Sequence, residues 1–450
     1  MAINRVQKYA VTPEHNLLRT MLSAQATRDR SEWCRKWSPQ RQLLPHCRVT
    51  REAESVGLQV ESDGNPGCHG GWEIACPDLC PSRSYVFSVA AKIEDVPTPV
   101  ENISPEVYFL GRDGQPVDWA FIEGESESCE CVRFRHFFTV PENTKETVIR
   151  LLLRWTDRGR VTFSDLSLTE TAGPSAATIR VAVAGGMKQH RTIEGNLSEC
   201  LATVEEAREA GAKLVLLPET IISYGVSRDP WEVACPIPGK ETDALAASAE
   251  ANKVTLGLTI YERSGPLLHN TGLIFNSLGE LILKYRKVHM AVGERRSGIT
   301  PGNDFPVADL PFGRVGMQIC YDNVHPEGAR SIARSGADLL LLPIMGDPRC
   351  SLRDNPFDLE TWKLIMRMRA LDNHLWLLVA CNHESGSCIV NPAGEIVAFN
   401  SGNVGPLLYA DLDPRLRTWS YIGSDFKNRY WRERRPSTYG SLMRSDFGKF

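Results

Sequence analysis

The segment Gly316-Met317-Gln318-Ile319-Cys320-Tyr321-Asp322 joins two different periodic patterns. The apolar run Val315 to Ile319 reads as a buried strand, and a helix-like segment follows from about Pro326 to Ser335. The cysteine between them therefore stands at the carboxyl end of a strand, where open α/β sheets hold their ligands. A helix amino terminus and any neighbouring cation would lower a thiol pKa at such a place and make thiolate available. A lone cysteine carries little weight, because free cysteine is among the most buried residue types. Two other stretches add weight: Leu216-Leu217-Pro218-Glu219 and Lys284-Tyr285-Arg286-Lys287-Val288-His289. Each puts an ionisable side chain at the end of an apolar, strand-like run.

Around these three stretches, strands and helices alternate. Ile179–Ala184 is expected as a strand, and Asn196 as the cap of a helix carrying Leu197, Leu201 and Val204 and stopped by Gly211. Strands are expected at Lys213–Leu217, Thr255–Ile260, Thr271–Asn276, Leu281–Lys284, Val315–Ile319, Ala337–Leu342, Leu375–Cys381 and Ser387–Val390. Helices are expected at Thr242–Asn252, Pro326–Ser335 and Leu359–Asn373. This alternation predicts a layered α/β domain.

The first third of the chain follows another rule. From about Gly57 to Thr169 the runs Tyr85–Ile93, Val107–Leu110, Val117–Ile122, Val132–Val140, Val148–Trp155 and Val161–Leu168 are broken by turns such as Arg112-Asp113-Gly114. Short strands at this spacing predict a two-sheet sandwich. The small-residue linker 171–177 separates the two patterns. Three spans result: residues 1–50 with no readable role beyond a short helix near Glu14–Ala24, a β-sandwich over 51–172, and an α/β domain over 178–440 that includes the tail. The tail is rich in Arg, Tyr and Trp and reads as the cover of some other surface, a partner subunit being the natural one.

With 450 residues, 42% hydrophobic and 24% charged, the chain has the composition of a globular protein of two or three domains. A net charge of −4 implies neither a nucleic-acid footprint nor a polybasic membrane patch. No apolar run reaches the ~20 residues that span a bilayer. Met1-Ala2-Ile3-Asn4-Arg5 lacks the apolar core of a signal peptide, so a cytoplasmic protein is expected. Thirteen cysteines without a repeating framework read as free thiols. Cys76-x-x-x-Cys80 and Cys129-x-Cys131 do not have zinc-finger spacing, and no metal is expected.

Two family resemblances follow from the residues. Gly70-Gly71-Trp72, Tyr85-Val86-Phe87-Ser88, Phe137 to Pro141 and Gly159 to Leu166 resemble the galactose-binding-like jelly rolls found as carbohydrate-binding modules. That resemblance implies an all-β jelly roll and a carbohydrate as a possible ligand, with Trp72, Trp119 and Trp155 as stacking candidates that read first as core. Residues from about 178 to 440 resemble the nitrilase superfamily of carbon–nitrogen hydrolases. The Glu219, Lys287 and Cys320 motifs stand in the family's order, and Asn196, Pro301-Gly302, Pro326-Glu327, Arg369 to Asn373, Asn391 to Gly394 and Arg434-Arg435-Pro436 flank them. The resemblance implies a four-layer αββα sandwich, pairing into a homodimer or larger assembly, and cofactor-free chemistry.

It assigns Glu219 as general base, Lys287 as oxyanion stabiliser and Cys320 as nucleophile, and it makes Glu294 the second glutamate. The same roles make chemical sense unaided. Cleaving an amide needs a nucleophile, a cation where negative charge develops, and a proton shuttle for the leaving amine. The Tyr321 backbone N–H is the second oxyanion donor expected at a strand–helix turn, and Tyr224, Asn323 and Trp362 are expected around the substrate. His289 is left as a residue that packs or that supports the site from behind its reacting groups. Tyr321-Asp322 after the cysteine points, within the family, to amidases and carbamoyl hydrolases. The expected activity is hydrolysis of a small linear amide or N-carbamoyl compound through a thioester. A nitrilase or amine acyltransferase is the same-class alternative, and a carbohydrate-binding protein with an inactive hydrolase scaffold is the alternative of another class.

Overall fold

The computed structural model describes residues 16–18, 34–52, 55–76, 79–126, 131–172, 178–346, 358–402, 405–418 and 425–443. The helix expected near Glu14–Ala24 falls mostly outside these residues. Two compact units divide the chain: Met1–Ser175 together with Trp419–Phe450, and Ala176–Thr418.

The first unit is a sandwich of two antiparallel sheets. Its strands are β1 (Cys34–Trp37), β2 (His46–Glu52), β3 (Ser55–Glu61), β4 (His69–Cys76), β5 (Ser84–Glu94), β6 (Ile103–Leu110), β7 (Pro116–Phe121), β8 (Glu123–Ser126), β9 (Cys131–Thr139), β10 (Glu146–Arg154) and β11 (Arg160–Thr171). They pair in the orders β1-β4-β10-β6-β7 and β2-β3-β11-β5-β9-β8. Ile74, Val107 and Leu151 from one sheet meet Phe87, Phe163 and Leu168 from the other in one apolar core. The sandwich starts before the expected boundary at residue 51, since β1 and most of β2 precede it. Glycine hides β4 from a periodicity search. A Cβ on Gly71 would lie 2.1 Å from the Leu151 carbonyl oxygen, so close strand contact, not an apolar side chain, sets that position.

The tail differs most from expectation. It groups with the β-sandwich, not with the α/β unit. Its helix Phe426–Arg432 brings Asn428 against the edge strand β7, where the side chain accepts from the Phe121 N–H (2.8 Å) and donates to the Phe121 carbonyl (2.9 Å). Further on, Ser437 donates from its N–H and hydroxyl to Glu101, both at 2.9 Å. The Arg-rich sequence is used to stack: Arg429 on Trp119, Arg432 on Phe121 and Arg435 on Trp155.

The second unit stacks two six-stranded sheets. Its strands are β12 (Ile179–Ala184), β13 (Leu214–Leu216), β14 (Thr255–Ser264), β15 (Leu267–Phe275), β16 (Leu281–Arg286), β17 (Val307–Leu310), β18 (Gly313–Met317), β19 (Leu339–Ile344), β20 (Trp376–Cys381), β21 (Ser385–Val390), β22 (Ile396–Ser401) and β23 (Leu407–Leu412). Their orders are β16-β15-β14-β13-β12-β23 and β17-β18-β19-β20-β21-β22. Val181, Leu214, Met317, Leu341 and Leu378 fill the layer between the sheets. The helices Ile193–Glu209 and Lys240–Asn252 cover the outside of the first sheet through Val204 and Leu245. Pro326–Arg334 and Leu359–Leu371 cover the second, giving four layers, αββα. Gly316 permits this last contact, because a Cβ there would sit 2.3 Å from Ile332.

Asn196 is not the cap expected of it. The helix begins three residues earlier, capped by Thr192, whose hydroxyl accepts from the Gly195 N–H. Asn196 is buried instead, donating to the carbonyls of Ile222 and Tyr224 and so tying down the loop after Glu219. Among the described residues no helix is long and apolar enough to cross a membrane.

Candidate active site

Parallel strands β12, β13 and β14, and β18, β19 and β20 in the other sheet, leave their carboxyl ends on one side of the second unit. Glu219 follows β13, Lys287 follows β16 and Cys320 follows β18. Glu219 and Lys287 are buried, and Cys320 is partly so. The Lys287 ammonium lies between two carboxylates, 2.9 Å from Glu219 Oε1 and 2.8 Å from Glu294 Oε2. Glu219 is held from both sides, by the Asn270 amide at 2.8 Å and by the Met345 N–H at 2.8 Å. The Cys320 thiol lies beside Glu219, Lys287 and the Met345 N–H, all of which act on its titration.

That titration corrects one expectation. Burial and the adjacent Glu219 carboxylate push the Cys320 thiol up to about 12, and the pull of Lys287 and the Met345 N–H does not reverse this. With Glu219 and Glu294 already set around Lys287, a further anion beside them is disfavoured. On this balance the Cys320 sulfur favours the thiol form. Lys287 moves the other way: burial works to lower its pKa, but Glu219, Cys320 and Glu294 outweigh burial and hold it well above the ordinary lysine range. The charged ammonium form is favoured.

Backbone and neighbours fix the position of Cys320. Cys320 has φ 46°, in the left-handed region, as it leaves the strand for the short turn Cys320–Val324. Asp322, fully buried, holds this turn to the Lys287 segment. It accepts from the Tyr285 hydroxyl (2.6 Å), the Ile319 N–H (3.0 Å), the His289 N–H (2.8 Å) and His289 Nδ1 (2.9 Å). Burial and the Asp322 charge raise the Tyr285 pKa, keeping that hydroxyl a donor. His289, expected to pack or to support the site, also stacks on His325 at 3.9 Å.

Glu294 belongs with the expected group. Besides Lys287 it takes the Asn270 amide at 2.8 Å and the Ala291 N–H at 2.9 Å, closing the short helix Val292–Arg296 onto the pocket. Asn270 therefore bridges both glutamates, a role the sequence reading missed. The available signal was the polar triplet His269-Asn270-Thr271 inside an otherwise apolar strand that is buried after its first residue.

The expected substrate residues fare differently. Tyr321 is exposed and edge-on to His325. Asn323 is turned toward the helix Leu359–Leu371, its amide at Met366 Sδ (3.5 Å) and its carbonyl accepting from Arg369 (3.1 Å). Trp362 is buried, with its indole N–H on the Gly386 carbonyl, and Tyr224 packs against the core on the helix side of the first sheet. None of these last three is joined to Glu219, Lys287 or Cys320 by a contact shown here. In the first unit Trp72 is buried, Trp119 stacks on Tyr108, and Trp155 is exposed beside Arg154 and Arg435.

Comparison with known proteins bears on the same span. A family described as carbon-nitrogen hydrolase matches residues 180–421. Omega-amidase NIT2 of Homo sapiens is 32% identical over 241 residues, 48% of this chain and 83% of that protein. Omega-amidase NIT2-A of Xenopus laevis is 34% identical over the same shares. The crystal structure of Saccharomyces cerevisiae Nit3, a member of branch 10 of the nitrilase superfamily, aligns with 54% of this chain and 93% of its own at 30% identity and a TM-score of 0.47. The matched span takes in more than half of the 450 residues and every side chain in the pocket described above. The chain belongs to the carbon–nitrogen hydrolase family.

Proposed function

We propose that this protein hydrolyses the C–N bond of a small linear amide or N-carbamoyl compound through a thioester on Cys320. The observation that carries this reading is the hydrogen-bonded set Glu219–Lys287–Glu294 beside the partly buried Cys320 thiol. Glu219 takes the thiol proton as sulfur attacks the carbonyl carbon. Lys287 and the Tyr321 N–H receive the oxyanion. Glu219 then passes the proton to the departing nitrogen, the C–N bond breaks, and ammonia or an amine leaves. A water gives its proton to Glu219 and attacks the thioester. Collapse of the second tetrahedral adduct returns the thiol and releases the acid. A thiol that is protonated at rest suits this cycle, because the proton the leaving group needs is already in the pocket.

Amide substrates, as opposed to nitriles, are supported by the amidase names of the relatives and by Tyr321-Asp322 after the nucleophile. For the first unit we propose the galactose-binding-like relationship its motifs suggest. The test is a panel of amides, nitriles and N-carbamoyl compounds scored for ammonia, with mass spectrometry of the protein during turnover. The expected result is an acyl adduct on Cys320 with amides, and no adduct or ammonia from folded Cys320→Ala protein. Turnover of nitriles alone, or an adduct on another cysteine, would refute the proposal.

A further inference from the structure

Asn382 is 2% exposed, yet neither its Oδ1 nor its Nδ2 has a hydrogen-bond partner. Burying an amide with both ends unpaired is costly, and native proteins rarely do so without a partner that comes from outside the chain. Its place in the fold shows where that partner lies. Trp376, Leu378 and Ala380 of β20 face the layer between the two sheets. The ladder continues one residue beyond the strand, since the Asn382 N–H still donates to the Ile344 carbonyl at 2.8 Å. Strand alternation therefore turns Asn382 to the same side as Ala380. Ile344 is followed by Met345, whose N–H holds Glu219 Oε2. The unpaired amide is thus one residue from the Glu219 contact. It is two strands from Cys320 along β18-β19-β20, about 10 Å at the usual strand spacing.

We infer that Asn382 is a specificity-determining residue that binds a second polar group of the substrate, a carboxamide set a few bonds beyond the scissile carbonyl. This rests on the amide-hydrolase reading of the pocket. The distance puts Asn382 out of reach of the reacting carbonyl but within reach of the far end of a short substrate. The chemistry follows from the side chain: a neutral amide with donor and acceptor both free is matched by another amide, which returns one acceptor and one donor.

Glutaramide and 5-methylhexanamide form a matched pair, since they share a chain length and differ in a distal carboxamide or isopropyl group. Asn382→Leu keeps the volume and removes both polar atoms; Asn382→Ser is the second variant should the first not fold. The ratio of kcat/KM for glutaramide over 5-methylhexanamide is expected to fall about tenfold or more, the worth of one to two buried hydrogen bonds. The Tm of unliganded Asn382→Leu protein is expected to rise, which loss of a structural contact would not produce. A smaller change in the ratio overturns the inference, whatever the Tm does, and assigns the amide to internal packing or a trapped water. Calorimetric binding of the two amides to Cys320→Ala protein, with and without Asn382→Leu, gives the same comparison without turnover. Asn382-dependent preference for glutaramide in an enzyme that hydrolyses neither amide would keep this site and remove the proposed reaction.

Discussion

At the residue scale, Cys320 and Lys287 answer to the same charges in opposite ways. Glu219 and Glu294 stabilise the ammonium, while burial and Glu219 disfavour a thiolate and favour the proton on sulfur. Glu219→Gln should therefore separate thiolate content from turnover. Removing the carboxylate lowers the thiol pKa, so the ultraviolet absorbance of thiolate, read against Cys320→Ala protein, should appear at lower pH than in the parent. Turnover should nonetheless fall on the order of 10²–10⁴, the usual contribution of a general base. Unchanged turnover would remove Glu219 from the cycle. Lys287→Ala should lower kcat by on the order of 10²–10³ through loss of an oxyanion donor, read by steady-state kinetics.

At the scale of elements, β14, β15 and β16 carry the Asn270 and Lys287 ends of the site, and an ion cluster around the buried Glu262 holds them in register. Glu262 on β14 takes Arg286 of β16 at 2.9 and 3.0 Å, Thr271 of β15 at 2.7 Å, and Lys284. Burial alone would raise the Glu262 pKa, but the hydrogen bonds from Arg286, Lys284 and Thr271 outweigh it and bring it down to about 2. A carboxyl depressed in the folded state gives stability that is present above the unfolded pKa, near 4.3, and lost as pH falls toward 2. Thermal melts between pH 5 and 2 should therefore show a steeper decline for the parent than for Glu262→Gln. Parallel declines would deny the cluster this role. The helix starting at Ile193 shows the limits of local signals. Asn196 has the chemistry of a cap, but Thr192 takes that place because the loop after Glu219 needs the buried amide.

At the scale of the whole molecule, the tail from residue 425 belongs to the β-sandwich, although the α/β unit Ala176–Thr418 separates them in the chain. Its side-chain pairing with Phe121 covers part of an edge strand, the kind of exposed backbone that proteins generally protect. Asn428→Ala should raise hydrogen exchange at the Phe121 amide and across β7, with exchange at β12–β14 unaffected. Exchange rising equally in both units, or in neither, would contradict the grouping.

The sequence by itself determined the alternation of strands and helices, the two-sheet sandwich before it, and the three strand ends bearing Glu219, Lys287 and Cys320. These are local properties, written in side-chain periodicity and in the residue that ends each run. Glu294 was legible from its loop because the family order placed it there. Only the tertiary structure decided that Asn270 bridges two glutamates, that Asp322 gathers four donors, that Asn323 turns to the helix Leu359–Leu371 while Trp362 on that helix turns to the Gly386 carbonyl, and that burial and Glu219 raise the pKa of the Cys320 thiol. Each of these depends on charges and donors from distant segments meeting in a water-poor space, and neither burial nor net local charge is a property of any one segment.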